Sequence, residues 1–473
     1  MTRPLWTAAE AAEATQGTLE GPDWSAQGVS IDSRDVAPGD LFIALVGPIH
    51  DGHDHVVEAL ERGAAAVMIH HRINGLPKDA PLLVVGDSME GLTALAAAAR
   101  TRSKAKIIAV TGSVGKTGTK EMLKLALETA GPTHATLGNL NNHWGVPLSL
   151  TRMPADTRFA VFELGMNHPG EIEPLSRLVR PHIVIITAVE AVHMEFFAST
   201  AAIAEAKGEI FAGLEPGGHA ILPHDNPHYP RLVEIAQAEG VTAIDSFGCQ
   251  SGATARLLDF GLDPTSTLVF ALLANRSISY RIGIPGRQWA INSLAVLLAV
   301  RAAGLSIHAP AQALASIRGP KGRGARVRLA WDQAGLEIID ETYNASPISM
   351  EAAIATLAAA RTGPGGRHIA VLGDMLELGE GAPEMHAGLA ASLVAKRIDL
   401  VFTAGPLMRH LSDALPPERR GGHAADADAL VTLLAPVLKG GDVIMVKGSA
   451  GSHMGRIIEK LSAIAAPAAS DGH

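Results

Sequence analysis

The sequence has little cysteine, few aromatic residues and no long apolar run. Cys249 is the only cysteine among 473 residues, which excludes an intramolecular disulfide framework and a zinc site built from several cysteines. No stretch approaches the roughly 20 apolar residues of a membrane span, and the first residues lack the apolar core of a signal peptide. We therefore expect a cytoplasmic protein without membrane insertion.

Basic charge is also scarce. Lys and Arg number 39 against 48 Asp and Glu, so the net charge is −9, which argues against a general nucleic-acid-binding protein. Hydrophobic residues make up 47% of the chain, which is enough for several cores. At roughly 150 residues per domain, the length predicts about three domains.

A glycine-bracketed turn follows an apolar run at residues 107–117. The run suits a buried strand, and a helical pattern follows the turn through Met122, Leu123, Ala126 and Leu127. Glycines allow backbone N–H groups to surround phosphate oxygens, while Lys116 adds a mobile positive charge and Thr117 offers a hydroxyl to Mg²⁺. An ordinary turn with an exposed lysine is the alternative, which the strand and helix on either side disfavour. The pattern predicts a nucleotide-binding loop formed by Thr111, Gly112, Ser113, Val114, Gly115, Lys116 and Thr117.

Short apolar strands alternate with helical patterns along most of the chain, for example at residues 66–69, 159–162 and 183–186. This alternation is typical of parallel sheets with helices on both faces. The Gly/Pro/basic segment 318–324 has the composition of a hinge. We predict an α/β fold of three domains, with a central P-loop parallel-sheet ATPase domain; the predicted domains are 1–105, 106–318 and 319–473.

Two predicted strand ends carry residues able to bind a metal ion. Glu163 follows the strand 159–162, and His193 follows the strand 183–186. Ligands bind at the carboxyl ends of parallel strands, and Mg²⁺ prefers carboxylate and phosphate oxygens. Considered alone, Glu163 could equally be an acidic residue that binds no metal. Considered alone, His193 could be a buried histidine that forms hydrogen bonds. Their shared position beside a phosphate loop predicts a metal site that also includes Thr117.

Lys207 shares a helical face with Ile203, Ile210 and Phe211, which lie four residues before it and three and four after it. In one interpretation, its stem lies along this apolar face and its ammonium group reaches solvent. In the other, the lysine is partly buried with a lowered pKa and reacts with CO₂. The resulting carbamate would be able to hold a second Mg²⁺. Periodicity alone favours the first interpretation.

Polar clusters occur in three further segments. The loop containing Asn139, Asn141 and Asn142 offers many donors and acceptors, and its alternative is a plain structural turn. Asp340 and Asn344 follow a predicted strand beyond the hinge, where they are able to reach a ribose or a reaction centre. The His/Asp-rich segment 50–55 invites a metal interpretation, but nothing else in the sequence supports zinc.

The chain resembles the Mur ligase superfamily, the ATP-dependent amide-bond formers of cell-wall synthesis, and the resemblance is most specific at Thr111–Thr117, Glu163–Glu171, Lys207 and Gly373–Gly379. The strings Ile31–Arg34 and His50–His55 resemble the UDP-sugar-binding domain of the same superfamily, so the resemblance runs through all three predicted domains.

The chain departs from the family pattern at three points. Gly118 stands where a threonine is expected, Gln288-Trp289 replaces a His-Asn pair, and Ala450 stands where an arginine is common.

The resemblance implies a UDP-sugar-binding α/β domain at the N-terminus and a Rossmann-like α/β domain at the C-terminus. It implies ATP and Mg²⁺ as cofactors, a carbamylated Lys207 that binds metal, and catalytic roles for Lys116, Lys207 and His193. It further implies nucleotide contacts by Asn292, Arg323, Asp340 and Asn344, with Arg326 as the alternative to Arg323. The implied substrate-binding residues are Ser33, Arg34, Asn139, Asn141 and Asn142.

The string Gly373–Gly379 resembles the version found in one branch of the superfamily, which joins D-alanyl-D-alanine to UDP-N-acetylmuramoyl-tripeptide through an acyl phosphate. That reaction makes a peptidoglycan precursor and so serves cell-wall biogenesis, cell shape and cell division. We expect this activity in a cytoplasmic monomer. Another Mur-type ligase, folate polyglutamate synthase and a nucleotide switch without ligase chemistry are the alternatives. The sequence leaves open whether the third residue of the tripeptide is diaminopimelate or lysine.

Overall fold

The structure, a computed structural model, describes residues 3–192, 194–319 and 322–465. The strands of these residues form three larger sheets of five, nine and six strands and one two-stranded sheet. Parallel pairing predominates in each larger sheet. The architecture confirms the predicted α/β class with three domains. The boundaries near residues 105 and 318 stay predictions.

The five-stranded sheet belongs to the first part of the chain, and a helix leads from it towards the central sheet. The elements of this part of the chain are β1 (Trp6–Thr7), α1 (Ala8–Thr15), β2 (Thr18–Glu20), β3 (Ser25–Ala26), β4 (Gly28–Ser30), β5 (Asp40–Ile43), α2 (Val56–Glu61), β6 (Ala66–Ile69), β7 (Leu82–Val84) and α3 (Ser88–Arg102). The strands β1 and β3 form the two-stranded sheet. The strand order is β2-β7-β6-β5-β4, with β2 antiparallel to β7 and the others parallel. All four residues of β6 are buried, as expected for a parallel strand covered on both faces.

The nine-stranded sheet contains the predicted phosphate loop. Its elements are β8 (Lys106–Thr111), α4 (Lys116–Glu128), β9 (Thr133–Ala135), α5 (Gly145–Thr151), β10 (Phe159–Glu163), α6 (Ile172–Val179), β11 (Ile183–Ile186), α7 (Thr200–Gly208), β12 (His219–Pro223), α8 (Tyr229–Ala238), β13 (Ala243–Gly248), β14 (Ala255–Asp263), β15 (Ser266–Leu273), β16 (Arg276–Ile282), α9 (Arg287–Ala302) and α10 (His308–Ala313).

The strand order of this sheet is β16-β15-β14-β13-β12-β11-β8-β10-β9. After β8 the chain passes to β9 and β10 on one side, and it then returns to β11 on the other side. The carboxyl end of β8 is therefore a topological switch point, the place where open α/β sheets form a ligand-binding crevice. The strands from β14 to β16 form an antiparallel meander. The sequence analysis did not predict this meander.

The six-stranded sheet follows the hinge segment. Its elements are β17 (Ala325–Leu329), β18 (Leu336–Glu341), α11 (Pro347–Ala359), β19 (His368–Gly373), α12 (Ala382–Ala395), β20 (Leu400–Ala404), α13 (Met408–Ala414), β21 (Arg420–Ala424), α14 (Ala427–Leu434), β22 (Val443–Lys447) and α15 (Gly455–Ile464). The order is β17-β18-β22-β19-β20-β21, and only the pair β17–β18 is antiparallel. Within the described ranges, no helix is long and apolar enough to cross a membrane.

Asp374 anchors one helix of this last sheet. It follows β19, is 5% exposed, and accepts hydrogen bonds from the backbone N–H groups of Leu407 (3.3 Å) and Met408 (2.7 Å) at the start of α13. These N–H groups have no partner inside the helix, and an anion there also interacts favourably with the helix dipole. The aspartate of the string Gly373–Gly379 therefore has a structural role as a capping residue.

We predict that Asp374→Ala lowers the free energy of unfolding by about 1–3 kcal/mol, because two buried N–H groups lose their acceptor. Asp374→Asn keeps one acceptor oxygen and should lose less. Urea unfolding measures both variants against Asp413→Ala, which removes an exposed carboxylate at the end of the same helix. A variant Asp374→Ala as stable as Asp413→Ala would contradict the capping role.

Candidate active site

The phosphate loop joins β8 to α4, and two of its glycines are required by its geometry. Gly112 has φ +146° and Gly115 has φ +86°, conformations that side chains other than glycine rarely adopt. A Cβ on Gly112 would lie 1.9 Å from Thr187 Oγ1, and a Cβ on Gly115 would lie 2.4 Å from Asn292 Nδ2. The hydroxyl of Thr187 donates to the carbonyl of Val114 at 2.6 Å. Contacts with Thr187 and Asn292 therefore hold this loop in a tight turn. The helix α4 begins directly after it.

Lys116 lies at the first position of α4. Its Nζ donates to the carbonyl of Gly112 at 2.6 Å, so the ammonium group lies over the loop. Burial lowers the pKa of Lys116 and the positive charge of Arg323 lowers it further, whereas the carboxylate of Glu163 opposes both effects. The hinge residue Arg323 is thus close enough to Lys116 for its charge to affect the pKa of that lysine.

Glu163 ends β10 and is 1% exposed. One carboxylate oxygen accepts a hydrogen bond from Thr117 Oγ1 at 2.9 Å, and the other accepts one from Asn141 Nδ2 at 2.8 Å. Sequence reasoning placed Thr117 and Glu163 at one metal site, and the structure brings them into contact. A hydroxyl and a carboxylate beside a phosphate loop fit the oxygen ligands that Mg²⁺ prefers. The third predicted ligand, His193, lies outside the described residues.

Lys207 lies near the end of α7 with its side chain buried. It is 2% exposed, and the residues predicted to share its face, Ile203, Ile210 and Phe211, are at most 2% exposed. Burial lowers the pKa of Lys207 well below its usual value, the charge of Lys116 lowers it further, and Glu209 opposes the shift. A lysine buried to this extent does not hold its ammonium group in bulk solvent, as the snorkelling interpretation requires.

The asparagine loop makes two different kinds of contact. Asn141 reaches Glu163, whereas the side-chain oxygen of Asn142 accepts the backbone N–H of Gly145 at the start of α5 at 2.9 Å. Asn139 is exposed. The structure therefore brings one of the three predicted substrate residues to the carboxylate at the end of β10. The side chain of Asn139 is exposed to solvent, and that of Asn142 is hydrogen-bonded to the backbone.

Lys120 is a functional candidate that the sequence analysis missed. It is 0% exposed, and its Nζ donates to the carbonyls of Thr136 (2.7 Å) and Gly138 (3.2 Å) and lies 2.9 Å from Glu121 Oε1. Thr136 Oγ1 in turn accepts the backbone N–H of Glu163 at 3.2 Å. Lys120 therefore ties α4 to the beginning of the asparagine loop and to the end of β10. A signal was present, because Lys120 follows Lys116 by one helical turn, and the buried residues that come after it on α4 are apolar.

Asn292 lies on α9 against the phosphate loop. It is 3% exposed, and Gln288 Nε2, one turn earlier, donates to its Oδ1 at 3.3 Å. Its amide nitrogen occupies the space beside Gly115. The structure thus places this predicted nucleotide-binding residue at the loop.

The hinge residues are held by Asp340 at the end of β18. Its carboxylate accepts hydrogen bonds from the backbone N–H groups of Gly322 (2.9 Å) and Thr342 (3.1 Å) and from Thr342 Oγ1 (2.6 Å). The guanidinium of Arg323 lies 3.8 Å above the ring of Tyr343. The alternative arginine, Arg326, pairs with Glu337 instead. Of these two arginines, Arg323 is the one whose positive charge lowers the pKa of Lys116.

Lys447 and Glu341 lie in the same region of the last sheet. Their charged atoms are 3.7 Å apart, and Lys447 Nζ also donates to the carbonyl of Asn344 at 2.9 Å. Burial lowers the pKa of Lys447 and raises that of Glu341. The side chain of Asn344 is exposed, and its oxygen accepts the backbone N–H of Ala345 at 2.8 Å.

Ser33 and Arg34 follow β4 in the first sheet. Ser33 Oγ donates to Glu58 Oε2 at 2.9 Å, and Arg34 pairs with Asp32 at 2.6 Å. The hydrogen bond from Arg34 lowers the pKa of Asp32 to about 2. Arg34 is exposed, so its guanidinium is available to a ligand on this sheet edge.

Three histidines in the first part of the chain, His53, His70 and His71, approach each other. The rings of His53 and His71 are stacked with centroids 3.8 Å apart and an interplanar angle of 20°. Nearly parallel rings cannot both aim a nitrogen lone pair at one ion. His53 also uses both ring nitrogens, one 2.6 Å from Asp51 Oδ1 and one accepting the backbone N–H of His70 at 3.2 Å. Both ring nitrogens of His53 are thus engaged, and the three rings pack as a hydrogen-bonded cluster.

Comparisons with known proteins bear on the whole chain. The profile of the Mur ligase middle domain matches residues 110–300, that of the Mur ligase glutamate ligase domain matches 323–450, and that of the Mur ligase family catalytic domain matches 25–102. A protein of Rickettsia prowazekii (strain Madrid E), named UDP-N-acetylmuramoyl-tripeptide–D-alanyl-D-alanine ligase, is 35% identical over 91% of this chain and 94% of its own length. The chain belongs to the Mur ligase family.

Further relatives of this Mur ligase match over nearly their full length. A protein of Escherichia coli (strain K12) with the same name as the Rickettsia relative is 34% identical over 96% of this chain and 98% of its own. The crystal structure of MurF from Acinetobacter baumannii superposes with a TM-score of 0.84 at 30% identity, covering 98% of this chain and 99% of that chain. MurF ligase from Thermotoga maritima in complex with ADP superposes with a TM-score of 0.75 at 26% identity, covering 92% and 97%.

We predict that Lys120→Met loosens the asparagine loop of this Mur ligase, because two backbone carbonyls lose a buried charged donor. The free energy of unfolding should fall by about 1–3 kcal/mol, and hydrogen–deuterium exchange of residues 136–142 should accelerate. Lys104→Met, which removes an exposed lysine just before β8, is the control. Unchanged exchange in that loop with Lys120→Met would show that the lysine does not hold it.

Proposed function

We propose that this Mur ligase uses ATP to join D-alanyl-D-alanine to UDP-N-acetylmuramoyl-tripeptide, releasing ADP and inorganic phosphate. The observation that carries the proposal is the meeting of Lys116, Thr117 and Glu163 at the switch point of the central sheet. The names of the relatives from Rickettsia prowazekii and Escherichia coli, which match over 91% and 96% of this chain, support the choice of the two substrates.

In this proposal the loop Thr111–Thr117 binds the phosphates of ATP through its backbone N–H groups and Lys116. Asn292 and Arg323 act on the same nucleotide, since one lies against Gly115 and the charge of the other reaches Lys116. Asp340 contributes by holding the backbone beside Arg323. Asn344 remains a predicted nucleotide contact; the predicted substrate contacts are Ser33, Arg34, Asn139, Asn141 and Asn142.

Thr117 and Glu163 are the residues that would hold Mg²⁺. Their oxygens are 2.9 Å apart and Glu163 is buried, so the carboxylate is available inside the site and shielded from solvent. Magnesium, when bound, reduces the negative charge of the phosphate groups and so favours attack by an anionic nucleophile. His193 stays a predicted further ligand and catalytic residue.

Lys207 is proposed to carry a carbamate. Its amine would bond to the carbon of CO₂ with loss of one proton, which leaves a carboxylate on the nitrogen. The side chain is 2% exposed and lies within the influence of the positive charge of Lys116. An anionic carbamate there would offset that charge and would provide a further oxygen ligand for Mg²⁺.

The proposed chemistry has two steps. A carboxylate oxygen of the tripeptide bonds to the γ-phosphorus while the bond to ADP breaks, and Lys116 stabilises the developing charge. The amine of D-alanyl-D-alanine then attacks the carbonyl of the acyl phosphate. Phosphate leaves with the former carboxylate oxygen, and the amine loses a proton. Water must be excluded between the steps, which suits a site where residues of the central and last sheets meet.

Product analysis separates this function from its alternatives. Phosphate release that requires both the UDP-linked tripeptide and the dipeptide identifies the proposed ligase. Another Mur-type ligase or folate polyglutamate synthase would require a different acceptor or amino acid. A nucleotide switch would release phosphate with neither substrate present.

We predict that tripeptide substrate labelled with ¹⁸O in its terminal carboxylate transfers one labelled oxygen to inorganic phosphate. The reason is that the acyl phosphate forms through that oxygen, while the second labelled oxygen stays in the new amide carbonyl. Mass spectrometry of phosphate, ADP and AMP measures the distribution. Label in AMP would indicate an adenylating ligase, and unlabelled phosphate during productive turnover would indicate attack by water. Either result contradicts the proposed chemistry.

We also predict that Lys207→Ala loses most ligase turnover and regains part of it in added acetate, because a short carboxylate replaces the carbamate oxygens. Lys396→Ala, which removes an exposed lysine, is the matched control and should be unaffected by acetate. Initial rates of phosphate release measure both variants. Full activity of Lys207→Ala without acetate would exclude the carbamate role.

A further inference from the structure

Two of the departures from the Mur ligase pattern lie against each other in the structure. Gly118 stands in the first turn of α4, and Trp289 stands in the first turn of α9. A Cβ placed on Gly118 would lie 2.9 Å from both Cη2 and Cζ3 of the Trp289 indole. The indole therefore occupies the space that the side chain of an expected threonine would need.

The obstacle at position 118 is the indole and not the backbone. Gly118 lies inside α4 and is absent from the residues with positive φ, so its conformation suits any residue. On the other side, a Cβ on Gly286 would lie 3.2 Å from Trp289 Cδ1. The bicyclic ring is thus confined between two glycines and also packs against the core of the central domain. A larger residue at 118 therefore requires a shift of the partly buried indole, of α4 or of α9.

The helix α9 also supplies Asn292, which lies beside Gly115. Trp289 and Asn292 are three residues apart and hence on one face of the helix. This face contacts the end of the phosphate loop at Gly115 and the first turn of the loop helix at Gly118. Lys116 and Thr117 lie between these two points, so the position of α9 sets the position of both.

We propose that Trp289 is a positioning residue of the nucleotide site, matched in shape to Gly118, and that its indole fixes the first turn of α4 on which Lys116 and Thr117 lie. The inference rests on the proposed nucleotide binding by this loop. It explains why the two departures occur together, since either one alone would leave a clash or a gap beside the loop helix.

A double-mutant cycle tests the pairing. Gly118→Thr should weaken ADP binding at least about 10-fold, which corresponds to about 1.4 kcal/mol, because the clash displaces Lys116 and Thr117. Trp289→Asn should weaken it through the gap that it leaves. The double variant Gly118→Thr/Trp289→Asn has the residue types of the family pattern at positions 118 and 289 and should bind ADP within about 3-fold of the original chain. Isothermal titration calorimetry with ADP measures all four proteins.

Steady-state kinetics separate positioning from a merely structural role. Positioning predicts that the KM for ATP rises in each single variant while the KM for D-alanyl-D-alanine stays unchanged. A structural role would reduce the active fraction and so lower kcat at an unchanged KM for ATP. If Gly118→Thr does not fold, Gly118→Ala, which adds the Cβ alone, takes its place in the cycle.

Tryptophan fluorescence provides a direct reading of the contact. Of the five tryptophans in the chain, Trp289 lies against the loop helix, so ADP should change the emission. Trp289→Phe should lose this change although it still binds ADP, whereas the control Trp331→Phe should keep it. A double variant no better than Gly118→Thr, or a fluorescence change that survives Trp289→Phe, would overturn the inference. Failure of the original chain to bind ADP would instead refute the proposed function.

Discussion

The carboxylate of Glu163 is the contact on which the arrangement of the site depends. It is buried at the end of a parallel strand, and each of its oxygens receives a hydrogen bond from a different segment, the loop helix through Thr117 and the asparagine loop through Asn141. A buried carboxylate without such donors would be strongly destabilising. The hydrogen bonds therefore fix the positions of Thr117 and Asn141. These two residues in turn fix the phosphate loop and the segment that follows β9.

Positive charge is the second constraint. Lys116, Lys207 and Arg323 are close enough that Lys116 lowers the pKa of Lys207 and Arg323 lowers that of Lys116. Like charges in a region of reduced dielectric repel each other, while the carboxylate of Glu163 opposes the effect at Lys116 and that of Glu209 opposes it at Lys207. Lysine and arginine side chains gathered at a phosphate loop favour polyanionic ligands. The repulsion between Lys116 and Lys207 gives a physical reason for an anionic modification of Lys207.

Local patterns predicted the parts of the site that depend on local sequence. The phosphate loop followed from an apolar strand, two glycines and a helix start. For Lys207, the apolar residues at helical spacing favoured an ammonium group in solvent, and only the family resemblance favoured the buried lysine that the structure has. Lys120 was missed because a lysine on a helix is ordinarily exposed, and only the fold brings the carbonyls of residues 136 and 138 to its ammonium group. The antiparallel meander and the contact between Gly118 and Trp289 depend on how distant segments pack, which local patterns do not contain.

The hydrogen bond from Gly322 to Asp340 has a mechanical consequence. It is reinforced by a second one from the backbone N–H of Gly324 to the carbonyl of Asp340 at 2.8 Å and by the stacking of Arg323 on Tyr343. Arg323 lies in the connecting segment by sequence, yet it is fastened to the last sheet together with Lys447. Any pivot between the central and last sheets must therefore lie before Gly322. Arg323 therefore moves together with the last sheet. Its charge reaches the phosphate loop only when that sheet lies against the central sheet.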